Sequence, residues 1–411
     1  MRQILHIDFD SFFASVEQEL NSTLRAKPLG VTATNGRTCI IASSREAKKF
    51  GIKTGDRTWE SLPKCPNLIL IPADFNKYFE VSKKFLNIAK DFSPLVELFS
   101  IDEVFIDVTD TVHLFGNVQS LVREIKTRIR NEIGEYITVS IGISHNKLLA
   151  KLASGANKPN GIFEINKDNF EEVYRKVKLT DLCGIGERIK SRLNKMGIYT
   201  ILDVRETAEN LLIDEFGKVE TIFLKNLSQG LDESAVVPYT EAPEAKSIGR
   251  NYCLPKNEYS KRVVLQNIYE LCEEIAIRLR GLGKKGRTVA LFLGGSSDVG
   301  RRKSIPEYID SGSEIFLVCQ SILSEDNSFF KTRDFYTRQI SISVCSLEDS
   351  ENLTPSLFDR PKSEKVIRTI DKINQKFGDH TIRNGFLLYA DKLTTMPNGY
   401  MADTFERTKL A

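Results

Sequence analysis

The opening residues Ile4-Leu5-His6-Ile7-Asp8-Phe9-Asp10 move toward apolar–polar alternation, a period of two that predicts a strand, and SFFASVEQEL behind them reads as a helix. GVTAT and RTCIIAS look like paired strands around Asn35-Gly36, a dipeptide suited to a tight hairpin turn. SREAKKFG follows as a helix closed by Gly51. FNKYFEVSKKFLNIAKDF predicts a long helix and VELFSIDEVFIDV a strand pair. A helix over VQSLVREIKTRIRNEI, a strand over YITVSIGIS and a helix over NKLLAKLASGANKPNG, stopped at Pro159-Asn160-Gly161, complete this stretch. Mixed elements with antiparallel neighbours predict an α+β domain.

From about residue 167 the strand patterns vanish, and CGIGERIKSRLNKMGI belongs to a small all-helical unit. Residues 233–245, ESAVVPYTEAPEA, hold two prolines and no helical period, and read as a linker. A second α+β unit begins with the helix VVLQNIYELCEEIAIRLRGLG and the strands TVALFL and RQISISVCSL. Beyond about residue 349 the chain is polar, with a helical pattern only in VIRTIDKINQKFG. The fold class is therefore α+β and multidomain.

Composition changes this picture little. With 41% hydrophobic and 27% charged residues in 411, the chain has material for several cores and is not a disordered one. Its net charge of +3 is too small to argue for nucleic acid by itself. Seven cysteines, odd in number and without a CxxC pair, suit reduced thiols better than disulfides or zinc. The N-terminus lacks a signal-peptide core, and no apolar run approaches the roughly 20 residues that cross a bilayer. These features lead us to expect a soluble, cytoplasmic protein with no membrane partner.

Residues 100–107, SIDEVFID, pose a problem of charge. Ile101, Val104, Phe105 and Ile106 read as a buried strand, yet Asp102 and Glu103 stand at its front. Either the acids end the strand in solvent, or a cation binds there, since an unpaired buried carboxylate costs several kcal/mol. Adjacent strand residues face opposite ways, so both acids serve one ion only where the strand begins or bends. If this strand neighbours the first, Asp8 joins them at one rim of a sheet. Oxygen ligands without a His or Cys cluster suit magnesium. Two such ions roughly 3.5–4 Å apart activate an attacking oxygen and stabilise a leaving one in phosphoryl transfer.

MRQILHIDFDSFFASVE, SIDEVFID, SIGISHNKLLAKLASGANKPNG and DLCGIGERIKSRLNKMGIYTILDV, in this order, resemble the Y-family DNA polymerases over roughly residues 1–345. The resemblance implies a right hand: palm 1–10 and 76–166, fingers 11–75, helical thumb 167–232, linker 233–245, little finger 246–348, and a tail 349–411. It implies a DNA-directed DNA polymerase that adds deoxynucleotides to a primer 3′ end on a template and copies past damaged bases. Asp8, Asp102 and Glu103 match the family's catalytic metal ligands, with the Phe9 carbonyl also facing one of two Mg²⁺ ions. Asp10 and Asp107 match further acids of the family and receive no metal.

Phe13 falls at the family's steric gate, where a ring under the sugar excludes a ribose 2′-OH; Phe12 reads as core. Ser11 and the amides of Phe12 and Phe13 would open a helix, an anion site for the triphosphate. In SSREAKKFG, Lys48 matches a triphosphate-binding residue, while Arg45 replaces the family's tyrosine and either binds phosphate or is a solvated helix charge. Lys158 of KPNG matches a lysine that reaches the triphosphate from the palm.

Gly184-Ile185-Gly186 resembles the turn of a helix-hairpin-helix, whose backbone amides approach a DNA phosphate. Lys284, Lys285 and Arg287 precede a predicted strand, and Arg301, Arg302 and Lys303 sit in a predicted hairpin; with Lys246 and Ser247 they match the family's DNA-gripping domain. Thr354-Pro355-Ser356-Leu357-Phe358 resembles a sliding-clamp motif, with Thr354 where glutamine usually stands, and is otherwise a packing anchor. The four histidines form no spaced cluster and read as structural or surface residues. The expected partners are primer-template DNA, deoxynucleoside triphosphates and the clamp, with the protein a monomer. KPNG and the layout are similar to one bacterial branch of the family, whereas CIIASSREAK and the SLFD tail are similar to another that works with accessory subunits. The rival readings are a DNA-binding scaffold without catalysis and a palm-type nucleotide cyclase.

Overall fold

The protein's structure, a computed structural model, describes residues 2–33, 39–241, 244–296, 298–326, 335–353, 361–378, 381–388 and 390. The Asn35-Gly36 turn and the Thr354–Phe358 segment, with Leu357 and Phe358, lie outside the described residues. The chain divides between residues 242 and 243 into two compact units.

The first unit opens with β1 (Ile4–Phe9), α1 (Phe12–Leu20), β2 (Leu29–Thr32), β3 (Ile40–Ser43), α2 (Arg45–Lys49) and α3 (Thr58–Ser61). Then come β4 (Ile69–Pro72), α4 (Phe75–Lys90), β5 (Val96–Leu98), β6 (Glu103–Asp107) and α5 (Val118–Glu132). β7 (Val139–Ser144), α6 (Lys147–Ala156) and β8 (Ile162–Glu164) complete its mixed part. Strands in the order β5-β6-β1-β7-β8 form one sheet, with β1 central and antiparallel to both neighbours. A smaller sheet has the order β3-β2-β4, and β2 and β3 pair antiparallel as expected.

Period-two alternation divides β1 between two environments. Leu5, Ile7 and Phe9 enter the main core with Val104, Ile106, Ile141 and Ile143, beneath α4 and α5 residues such as Phe85 and Ile125. His6 and Asp8 lie on the other face, which α6 covers. α6 begins where Asn146 accepts the Leu149 N–H at 2.9 Å, an N-cap that also ties its amide to the Gly230 carbonyl at 2.8 Å. Gly142 lets this helix lie flat on β7: a Cβ there would come within 2.0 Å of the Ala150 carbonyl oxygen.

Helices α7 (Phe170–Lys176), α8 (Glu187–Lys195), α9 (Ile201–Glu206), α10 (Glu209–Phe216) and α11 (Lys218–Gln229) follow, without strands as expected. They close around Tyr174, Leu193, Ile201 and Leu224. The stretch expected as a linker is packed at its beginning. Val236 is buried with Ile4, Phe105 and Ala150, and the Tyr239 N–H donates to the Val96 carbonyl of edge strand β5 at 2.7 Å. An apolar side chain and an open strand edge capture a segment that composition alone marks as a tether.

The second unit contains β9 (Ser247–Glu258), α12 (Lys261–Gly281), β10 (Lys284–Gly295), β11 (Val299–Ile309), α13 (Gly312–Asp326), β12 (Thr337–Asp349) and α14 (Pro361–Phe377). Its antiparallel sheet, β11-β10-β12-β9, carries α12 and α13 on one face over Ile248, Val289, Leu291, Ile342 and Val344. Both outer strands hold a proline, Pro255 and Pro306, in stretches where the pairing register shifts. The segment beyond residue 349, expected as a polar tail, docks in part: Arg280 grips the Asp371 carboxylate at 2.6 and 2.7 Å, and Leu387 is fully buried. Among the described residues no helix is long and apolar enough to cross a membrane.

Gly142→Ala is expected to destabilise the protein by about 2–3 kcal/mol, because backbone rather than a mobile side chain blocks the new methyl. Chemical denaturation of the variant beside the wild type measures this.

Candidate active site

Asp8 and Glu103 are directly opposed in the β1–β6 pairing, so their side chains leave the same face of the sheet. Asp102 stands just before β6 begins, where its carbonyl accepts the Phe9 N–H at 3.0 Å and its carboxylate accepts the Ser100 hydroxyl at 2.5 Å. The acids thus meet where a strand starts, the condition that adjacency of Asp102 and Glu103 demands. Asp8 and Glu103 come together with His6, their ligand atoms all within 4.8 Å of one another; the Asp102 carboxylate lies outside that group.

Electrostatics separate the three acids. Burial raises Asp8 above the usual carboxylate range, Lys158 opposing and Asp102 adding to the rise. Burial also raises Asp102, Ser100 opposing and the Glu103 charge reinforcing. Glu103 goes the other way: burial is outweighed by the His6 hydrogen bond and the Lys151 charge, which bring it down to about 2. Lys158 forms an ion pair with Asp8, and Lys151 with Glu103. Each ammonium lies where a cation would relieve the same charge. Asp8 and Glu103 oxygens held this close, with Asp102 at the strand entry beside them and both aspartates raised by burial and a neighbouring acid's charge, fit a hard divalent cation.

Of the four histidines, read as structural or surface residues, His6 is a structural one, and it stands beside the acids. It is fully buried, with Nε2 2.9 Å from Glu103 Oε2 and Nδ1 2.7 Å from Ser154 Oγ of α6. Burial pulls the imidazole below its ordinary value, toward the neutral ring that donates Nε2–H to the carboxylate. The signal was present in the alternation of β1, where His6 and Asp8 are two residues apart and share a face. Lys151 and Ser154 stand three apart on α6, the spacing that puts both over β1.

A group of cations faces these acids. Lys48 Nζ donates to Ser11 Oγ at 2.7 Å. Burial and the neighbouring Lys158 charge lower Lys48 below the usual lysine range, Asp10 and Asp8 opposing and Arg45 adding. A polyanion would relieve that crowding. Ser11 has a left-handed backbone, φ 56°, and its side chain does not cap α1, so it satisfies none of the first N–H groups, which in any helix lack intrahelical acceptors. Arg45 opens α2. It is about one-third exposed and hydrogen-bonds Thr138, with its guanidinium 3.9 Å from Asp10 Oδ2.

Phe12 is buried in the core, as expected, whereas Phe13 is only half-buried. The Phe13 ring stacks on Tyr78 at 4.3 Å between centroids and meets Phe75 edge-on at 5.7 Å. Tyr78, which sequence reasoning passed over, is anchored in turn by a 2.8 Å hydrogen bond to Glu17. The ring at the expected gate is thus braced from behind.

The residues expected to grip DNA separate by geometry. Ile185 is buried, and the space beside Gly184 (φ +103°) is filled by Phe223, where a Cβ would stand 2.3 Å from its ring. Gly186, at the start of α8, faces open space. In the second unit the basic residues lie within β10 and β11 rather than before a strand and in a turn. Lys284 is buried and paired with Glu244 and Asp349, and Lys285 stands 3.9 Å from Asp310. Arg287 lies over the Tyr308 ring. Alternation divides the neighbouring trio: Lys303 pairs across from core residue Val289 and reaches Glu325 of α13, while exposed Arg302 pairs across from Ala290 on the opposite face. On that face Ala290 neighbours Ser343 and then Gly249, a row of small residues. Lys246 and Ser247 are exposed where β9 begins.

Residues 7–155 match the impB/mucB/samB family, and residues 245–357 match the impB/mucB/samB family C-terminal domain. The chain is 31% identical to DNA polymerase IV of Acetivibrio thermocellus over 396 residues, covering 94% of this chain and 98% of that protein. It is 33% identical to DNA polymerase IV of Moorella thermoacetica over 391 residues, covering 94% and 96%. Among solved structures, a Y-family DNA polymerase chimera, Dbh-Dpo4(243-245)-Dbh, superposes with a TM-score of 0.71 at 27% identity, over 84% of this chain and 98% of that one. An insertion ternary complex of Dbh DNA polymerase gives 0.55 at 26% identity, with the same coverage.

The raised Asp102 carboxyl implies a stability cost. A carboxyl whose folded-state pKa exceeds its unfolded value destabilises the fold above that pKa, and the cost vanishes as pH falls through it. Asp102→Asn is therefore expected to stabilise the metal-free protein near neutral pH by on the order of 1 kcal/mol, with the gain shrinking in acid. Thermal unfolding in chelator at pH 7 and at pH 4 checks both the sign and its pH dependence.

Proposed function

We propose, for a chain that belongs to the impB/mucB/samB family and with it to the Y-family DNA polymerases, that Asp8, Asp102 and Glu103 are its catalytic acids. The protein is a polymerase IV-like translesion DNA polymerase, and enzymes of this kind are metal-dependent nucleotidyltransferases. The observation that carries the site assignment is the opposition of Asp8 and Glu103 across two paired strands, with Asp102 at the strand entry beside them. The complete acid set argues against a scaffold without catalysis, and family membership argues against a nucleotide cyclase.

In this reading Asp8, Asp102, Glu103 and the Phe9 carbonyl hold two Mg²⁺ ions. When bound, these ions lower the charge barrier to joining the primer 3′ oxygen to the α-phosphate and releasing pyrophosphate. The protein's own residues supply the geometry. His6 fixes one Glu103 oxygen from beneath, so the carboxylate is oriented before any cation arrives. Lys151 and Lys158 balance the acids in the metal-free state, and Lys158, released from Asp8, turns to the triphosphate with Lys48, Arg45 and the amides at Ser11, Phe12 and Phe13. Phe13, braced by Tyr78, closes the floor beneath the sugar.

The larger assignments follow the same reading. The five-stranded sheet is the palm, the β3-β2-β4 sheet with α2 and α3 the fingers, α7–α11 the thumb and the second unit the little finger. Primer-template DNA and deoxynucleoside triphosphates are the substrates, of which the solved ternary complex of Dbh polymerase is the relevant neighbour. DNA would lie on the open face of the second unit's sheet at Arg302, and against Gly186 in the thumb; paired, buried Lys284 is the least suited of the expected contacts. We further propose a monomer in the cytoplasm that meets a sliding clamp through Leu357 and Phe358.

Primer extension on a template should require a divalent cation and fall by at least about 10²-fold in Asp102→Ala and Glu103→Ala while DNA binding persists. Extension at the wild-type rate in these variants would remove the site assignment. Phe13→Ala should admit ribonucleotides, read as a rise of on the order of tenfold or more in ribonucleotide incorporation relative to deoxynucleotide.

A further inference from the structure

Asp10 is almost completely buried, and its carboxylate is surrounded by donors. Oδ1 accepts the Ser140 hydroxyl at 2.8 Å, while Oδ2 accepts the Thr138 hydroxyl and the Asn160 N–H, each at 2.7 Å. The Arg45 guanidinium stands 3.9 Å from Oδ2 and hydrogen-bonds the same Thr138 hydroxyl. A carboxylate holding three hydrogen bonds on its roughly four acceptor sites is satisfied without a cation.

The segment it holds is the turn that carries Lys158. Asn160 lies two residues on, in the left-handed region at φ 58°. Its N–H is taken by Asp10 and its carbonyl by Lys126 Nζ of α5 at 2.6 Å, so both its backbone hydrogen-bonding groups are fixed. Gly161 follows, where a Cβ would stand 1.7 Å from the Asn157 carbonyl oxygen. Through Thr138 the same carboxylate reaches Arg45 at the start of α2.

We propose that Asp10 is a positioning residue for the triphosphate rather than a metal ligand. Its carboxylate sets the 158–161 turn so that Lys158 reaches the site, and ties Arg45 to the same anchor. Lys126 holds the turn from its other side. This inference rests on the site assignment given above.

Asp10→Asn tests it by removing the charge and keeping the shape: the amide oxygen can still accept the Asn160 N–H while the Ser140 hydroxyl reverses, so the bonds from Asn160 and Thr138 and the Arg45 contact lose their charge assistance. We expect KM for the incoming deoxynucleotide to rise on the order of tenfold, with kcat changed by less than about threefold, the worth of one charge-assisted hydrogen bond. Mn²⁺ affinity of the nucleotide-free protein, titrated by electron paramagnetic resonance, should stay within about twofold of wild type while Asp102→Ala weakens it. In a Lys158→Ala background, Asp10→Asn should raise KM by clearly less than it does in the wild type, since it acts in part through Lys158, the remainder being its hold on Arg45. The half-exposed Lys126→Met, which is not expected to impair folding, should raise KM in the same direction, and decides the matter if Asp10→Asn does not fold.

Weakened Mn²⁺ binding in Asp10→Asn would make it a ligand and overturn the proposal. So would KM effects that multiply independently with Lys158→Ala, or an unchanged KM in Lys126→Met together with a misfolded Asp10→Asn. Wild-type extension and Mn²⁺ binding in Asp102→Ala would instead indict the site assignment itself.

Discussion

Negative charge held at the end of a central strand is the constraint around which the first unit is built. Asp8 and Glu103 stand side by side on one face of the sheet, Asp102 adjoins them, and all three are partly buried. The fold answers with lysines from the covering helix and from the neighbouring turn, and with a histidine inside the sheet. These partners act unequally, leaving Glu103 firmly ionised and its two neighbours reluctant to be. A site arranged this way is tuned toward accepting further positive charge, at some expense to the metal-free fold.

The helix α6 shows how a single element serves both stability and chemistry. Its apolar residues Leu149 and Ala153 pack inward, its Lys151 and Ser154 address Glu103 and His6, and its cap ties it to the end of α11. Gly142 permits the close approach that brings these groups within hydrogen-bond reach. On the β7 side of the same strand end lies a different acid, Asp10, whose hydrogen-bond donors are hydroxyls and a backbone amide rather than lysines. Two carboxylates two residues apart thus live in contrasting surroundings, one left open to a cation and the other already satisfied.

Much of this was legible in the chain because the periodicities are clean. The strand pair around SIDEVFID, the first strand and the all-helical stretch after residue 167 follow from alternation and turn residues, and the structure bears them out; the central place of the first strand does not follow from them. The meeting of Asp8 with Glu103 was inferred only on condition that their strands pair, since register between distant strands leaves no local mark. His6, Tyr78, Thr138 and Lys126 were passed over for the same reason: each matters through a partner far away in sequence. The packing of Val236 was hidden by a composition typical of tethers, and the division of Arg301–Lys303 between two faces was hidden by treating a basic run as a turn.

The prolines of the second unit's sheet have a consequence for the life of the molecule in a crowded cell. Among the described residues of this unit both margins of the sheet are without a further strand, and an open margin invites a second copy to add strands. Pro255 and Pro306 remove a backbone donor from each margin and coincide with breaks in regular pairing, so neither margin offers a continuous template. The fold thereby discourages strand-by-strand growth without covering either margin with a further element among the described residues.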